Sequence, residues 1–132
     1  MKKEGYYKNL FLIGAIFNWV VALLFLIADK NVRQLVGIAP SQDQLSWTLL
    51  LIFVFIFGVG YYWVSVDIHQ NRNIAKLGIM GKLSVVILYS IYYFRGNIPL
   101  IVLLFVLPDL IFALLFIEFI LSTANNKYKN AE

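Results

Sequence analysis

A chain of 132 residues with 61% hydrophobic side chains, 14% charged side chains and a formal net charge of +4 is too apolar for a small water-soluble domain. Such a domain carries about 25% charged residues and needs polar surface to cover its core. The mean hydropathy of +0.80 points to lipid as the solvent, and the length to one membrane domain covering 1–132. The basic excess does not indicate a nucleic-acid partner, because Lys and Arg sit mainly at the ends of apolar runs, where they set topology.

Four apolar runs follow one another, each near the ~20 residues that cross a hydrocarbon core as a helix. Barrel strands would be about half that length and would alternate in polarity. The expected fold is all-α: a four-transmembrane-helix antiparallel bundle, with helices over about 9–28, 42–66, 75–94 and 98–123.

The first run, "LFLIGAIFNWVVALLFLIA", follows Lys2, Lys3 and Lys8. It is longer than a signal-peptide core and "LIADK" offers no A-x-A-like cleavage site, so a retained helix is expected. Gly14, Asn18 and Ala22 share one face at i, i+4, i+8, which is a helix-packing stripe. Asn18 is expected to hydrogen-bond across that packing surface, to Asp109 or Ser65. In the connection over 29–40, Val32, Leu35 and Val36 recur at helical spacing. Either a short helix in the membrane interface or an irregular loop fits.

The second helix is expected to start near Gln42, with Ser41 as N-cap and Gln44 reaching back in a capping box. Near its end, "GVGYYW" resembles a phosphate loop only superficially. It lies inside a membrane helix and lacks a following lysine, so its glycines are read as sites of close packing. "DIHQNRN" reads as a solvated turn, since one Asp and one His do not make a metal site. The third helix carries Lys82 in "GIMGKL", where Gly78 and Gly81 allow a neighbouring backbone to approach. "RGNIP" then predicts a tight hairpin: Gly96 left-handed, Asn97 capping, Pro99 in the first helical turn.

Orientation follows from the basic residues. Lys2, Lys3, Lys8, Arg72, Lys76, Lys82, Lys127 and Lys129 fall on one side of this topology, and Lys30, Arg33 and Arg95 on the other. The positive-inside rule places both termini in the cytoplasm. Tyr6, Tyr7, Trp47, Tyr61 to Trp63, Tyr92 and Tyr93 gather near the expected boundaries as an aromatic belt.

The fourth run, "IPLIVLLFVLPDLIFALLFIEFIL", holds two carboxylates, Asp109 and Glu118. Nine residues apart on a helix, they point about 180° from each other, so they are not a paired acid/base or di-metal site. Glu118 lies near the cytoplasmic end, and Lys82 is its expected ion-pair partner. Asp109 lies near the bilayer centre. It is expected to face the interior in its neutral form, beside Pro108, which frees the Leu104 carbonyl four residues earlier.

The chain has no cysteine and one histidine, His69. That excludes disulfides, thiolate catalysis, iron–sulfur clusters and covalent haem, and a multi-His metal centre within one chain. No cofactor and no metal are expected, and no catalytic constellation is visible.

Taken in order, "GAIFNWV", Trp47, "GVGYYWVSVD", "IAKLGIMGKL", "GNIP" and "PDLIFALLFIEFIL" resemble a family of small bacterial four-helix membrane proteins of unassigned function, akin to the DoxX-like group. Where that pattern has Asp-Pro after the second helix, this chain has Asp67-Ile68. The resemblance implies a multi-pass protein of the bacterial inner membrane and supports the choice of positions, but implies no reaction. DoxX-like proteins are associated with redox membrane complexes, a role that fits poorly with a chain lacking cysteine.

Three functions are in competition. The leading expectation is a non-enzymatic membrane protein that self-associates as a homo-oligomer or serves as an accessory subunit of a larger membrane complex. The second is a small-molecule or proton-coupled transporter using Asp109. The third is a lipid-binding or lipid-modifying protein with a cavity lined by Asn18, Tyr61, Lys82 and Asp109.

Overall fold

The structure is a computed structural model that describes the backbone of residues 2–129 and the side chains of residues 3–124. The chain is all-α, with no strand among the described residues. Its helices are α1 (Lys2–Val36), α2 (Gln44–Val66), α3 (Arg72–Phe94), α4 (Leu100–Leu104) and α5 (Leu107–Lys129). Four spans are long and apolar enough to cross a membrane, the last of them running from Leu100 to Ala124 across the α4–α5 break. The chain divides into two compact units, Met1–Ile68 and His69–Glu132, each a helical hairpin. The tail lysines used for orientation, Lys2, Lys127 and Lys129, lie outside the described side chains.

In the first unit α1 runs beyond the apolar segment at both ends. Lys8 and Glu4 form an i,i+4 ion pair at 3.1 Å that supports the polar first turns. At the other end Ala28 leaves helical geometry, with φ −125° and ψ 31°, and the chain resumes as a helix to Val36. The connection over 29–40 is therefore helical for most of its length. It ends at Gly37, whose φ of +70° favours a residue without Cβ. The Ile38 N–H returns to the Arg33 carbonyl at 2.9 Å, closing the C-terminus.

The expected cap of α2 moves by two residues. Asp43, not Ser41, is the N-cap, and its carboxylate accepts the Ser46 N–H at 3.0 Å and the Ser46 hydroxyl at 2.5 Å. Ser41 instead donates to the Asp43 carbonyl at 3.0 Å. An ionised Asp with a hydroxyl three residues on offers two acceptor contacts to one turn, which the Ser41–Gln44 pairing cannot match.

The two helices run antiparallel. Phe11 meets Tyr61, Ala15 and Trp19 meet Gly58, Asn18 reaches Val54, and Phe25 meets Trp47. In lipid no hydrophobic effect draws helices together, so close packing and interhelical hydrogen bonds must do it. Gly58 shows the packing: a Cβ there would lie 2.6 Å from the Trp19 ring and 3.2 Å from the Ala15 carbonyl oxygen. The indole lies where a side chain would otherwise be. This is the close approach that "GVGYYW" predicts.

In the second unit the turn behaves as read. Gly96 has φ +74°, and the N–H groups of Gly96 and Asn97 return to the Tyr93 and Tyr92 carbonyls at 2.9 Å each. Asn97 is not the cap, however. Pro99 occupies the N-cap of α4 with extended geometry.

The expected continuous helix over 98–123 is two pieces, and the break is Pro108. A proline ring clashes with the carbonyl four residues earlier and offers it no N–H. That carbonyl belongs to Leu104, where α4 stops. Val106 N–H turns back to the Leu103 carbonyl at 3.0 Å, and Asp109 N–H starts the next helix by bonding the Val106 carbonyl at 3.0 Å. Within the apolar spans, Ser84, Ser90 and Thr123 donate their hydroxyls to carbonyls four residues back, so these three hydroxyls are not offered to lipid.

Candidate functional site

The break places an acidic residue in the first turn of a new helix. Asp109 follows Leu107 and Pro108 at the N-terminus of α5, the positive end of the helix dipole. Its partner is Lys82. The Lys82 ammonium stands 2.5 Å from Asp109 Oδ1, and 5.3 Å from the centroid of the Phe112 ring, one turn further along α5. Lys82 is buried with 5% of its side chain exposed, whereas Asp109 keeps 24%. Ala75, Gly78 and Lys82, at i, i+3, i+7, are the buried positions of α3.

This corrects the expected Lys82–Glu118 pair. Two contacts set the register of α3 against α5. Lys82 meets Asp109, and Arg72 Nη2 donates to the Ile120 carbonyl at 2.5 Å. Glu118 lies two residues from Ile120, so it stands level with the beginning of α3 and not with Lys82. It is exposed. Lys82 was also expected near the cytoplasmic end. Because α3 begins at Arg72, Lys82 is ten residues in, about 15 Å along the axis, close to the helix middle. It therefore leaves the count of topology-setting residues. Nor is Asp109 isolated, since the Lys82 side chain stands against it.

Asn18 and Tyr61 belong to the other hairpin. Asn18 Nδ2 donates to the Val54 carbonyl at 3.2 Å, in place of the expected Asp109 or Ser65. Trp19 Nε1 donates to the adjacent Phe55 carbonyl at 3.2 Å, so two successive α1 residues feed two successive α2 carbonyls. Ser65 is engaged within its own helix, donating to the Tyr62 carbonyl at 2.6 Å. Tyr61 is buried between Phe11 and Phe57. Both residues hold the α1–α2 packing together.

One polar cluster escaped the sequence reading. Past the Ala28 kink, Arg33 Nε donates to Asp29 Oδ1 at 2.8 Å and Arg33 Nη1 to the Ala39 carbonyl at 2.6 Å. Trp47 Nε1 donates to the same Asp29 oxygen at 3.0 Å, and the guanidinium stacks 4.4 Å above the Trp47 ring. Arg33 is buried, a planar cation suited to such a stack. The signal was present in the i,i+4 spacing of Asp29 and Arg33, but only the kink brings Trp47 to them. The cluster fastens the α1–α2 connection.

Among the described residues, no three His, Asp or Glu side chains gather where they could hold a metal ion. His69 is exposed, and Asp67 is the C-cap of α2. Comparisons with protein-family models, with curated proteins and with solved structures return no match to this chain. The candidate site therefore rests on geometry: one buried lysine, one partly open aspartate, and a helix broken between them and the turn.

Proposed function

We propose that this chain is a multi-pass protein of a bacterial inner membrane that performs proton-coupled transport of a small solute, with the Lys82–Asp109 pair as its centre, acting as an oligomer. The observation that carries the reading is the Lys82–Asp109 pair at the α4–α5 break. Ionised residues near the middle of membrane spans are costly and are retained chiefly where they serve ion or proton pathways. Broken helices at that depth are a recurrent feature of transporter binding sites. A purely structural clamp needs neither charge: Asn18 and Trp19 already show that this chain joins helices with neutral donors.

The competing reading, a self-associating or accessory subunit, treats the pair as a clamp alone. The two differ in one experiment. Purified protein is reconstituted into vesicles with an entrapped pH dye, and a panel of small cations, anions and neutral solutes is added outside. Solute-evoked proton flux that disappears in Lys82→Met/Asp109→Asn, a variant with no unpaired buried charge, supports transport. Flux no greater than in protein-free vesicles for the whole panel defeats it and leaves the clamp.

A further inference from the structure

The two members of the pair are not equally placed, and the difference selects the ligand. Lys82 is sealed between α3 and the Phe112 ring, while about a quarter of the Asp109 side chain is reached from outside the hairpin. Of the two, the carboxylate is the more open. A carboxylate is displaced from an ammonium by another cation, not by an anion.

We propose that Asp109 is the binding site for a monovalent cation, which takes the carboxylate from Lys82 and causes Lys82 to release one proton. This deepens the transport reading above and rests on it. The exchange balances. Before binding, the site holds one ammonium and one carboxylate. After binding, it holds the cation, the carboxylate and a neutral Lys82 amine, and one proton has left to water.

The proton must leave because a retained ammonium would set two cations against one carboxylate in a low-dielectric site. The other charged groups on the described part of this hairpin do not relieve that excess. Arg72 and Lys76 are cations, Arg95 lies in the turn, and Glu118 is nine residues beyond Asp109, about 13 Å along α5. The α4–α5 break lies beside Asp109 in the chain. The Leu104 carbonyl, which Pro108 cannot satisfy, belongs to the C-terminal end of a half-helix, where oxygen ligands for small cations are found in discontinuous membrane helices.

Lys82→Arg gives the decisive test, because arginine keeps the ion pair but does not give up its proton. Proteoliposomes with an entrapped pH dye, made permeable to potassium with valinomycin to remove membrane potentials, receive outside pulses of NaCl, LiCl, methylammonium chloride or tetraphenylphosphonium chloride. The parent protein should show saturable internal alkalinisation, because each cation that enters down its gradient sends one proton out. Na⁺ or Li⁺ alone doing so marks a metal-ion site, and the organic cations alone an organic-cation site. Lys82→Arg should keep the parent's thermal stability in detergent and lose at least tenfold of the exchange. Lys82→Met/Asp109→Asn should be folded and inactive, and Glu118→Gln should exchange like the parent. Full exchange in Lys82→Arg, or loss in Glu118→Gln, overturns the assignment. Proton flux evoked by anions or neutral solutes but by no cation overturns this inference and leaves the transport reading standing. Flux evoked by nothing overturns both.

Discussion

Lys82 and Asp109 are worth more together than apart. Removing one member of a buried pair leaves a charge without its counter-ion, at about 3–5 kcal/mol, while removing both is close to neutral. The two single variants should not be equal. Asp109→Asn leaves the ammonium sealed in the hairpin, whereas Lys82→Met leaves a carboxylate that is partly open and favoured by the α5 N-terminus. Thermal unfolding in detergent should therefore rank the double variant near the parent, Lys82→Met below it and Asp109→Asn lowest. Additive single effects would mean that the pair is not coupled. A second test at this scale concerns Gly58. Gly58→Ala forces its new Cβ against the Trp19 ring, and overpacking of this kind costs about 1–3 kcal/mol. Trp19→Leu in the same chain should recover part of the loss in the same melt, since it removes the indole; no recovery would place the clash elsewhere.

At the scale of elements, breaks and caps decide where helices stop. α4 ends at Leu104 because Pro108 can neither donate to that carbonyl nor clear it. α2 begins at Gln44 because Asp43 caps it. The Ser46 hydroxyl and then the Ser46 N–H, hydrogen-bonded to the Asp43 carboxylate, hold it below its ordinary value of 3.8. The sign follows. A carboxylate with a lowered folded value contributes stability above the unfolded value, and that contribution is lost as pH falls through the folded one. Asp43→Ala should thus lower the melting temperature by a few degrees at neutral pH and by less well below pH 3.8. Asp43→Asn keeps a capping oxygen and should flatten the acid dependence while retaining most of the neutral-pH stability. An equal loss for Asp43→Ala at every pH would remove the cap from the account.

For the whole molecule, the basic residues outside the membrane spans still favour both termini on one side, with Lys82 withdrawn from the count because it is paired inside a span. In sealed cells, a membrane-impermeant thiol reagent should modify a cysteine placed at Gln42 or Gly96 and spare one at Asn71. Labelling at Asn71 with protection at Gly96 would invert the topology.

The number of membrane spans, the all-α class, the Gly96 turn and the close packing at Gly58 are legible in the sequence because they depend on local composition and on stereochemistry. Apolar length fixes a span, and a left-handed turn or a crowded contact demands glycine. The partners of the polar side chains are different. Asn18 with Val54, Arg33 with Trp47 and Lys82 with Asp109 depend on which residues two helices bring to the same level. Helix ends set those levels. Starting α3 three residues earlier than expected and breaking the last span at Pro108 moved Lys82 from the expected Glu118 to Asp109. Hydropathy counts residues along one helix. Register between helices is a tertiary property, fixed by turn geometry and by the packing of both faces at once, and it decided which two charges met.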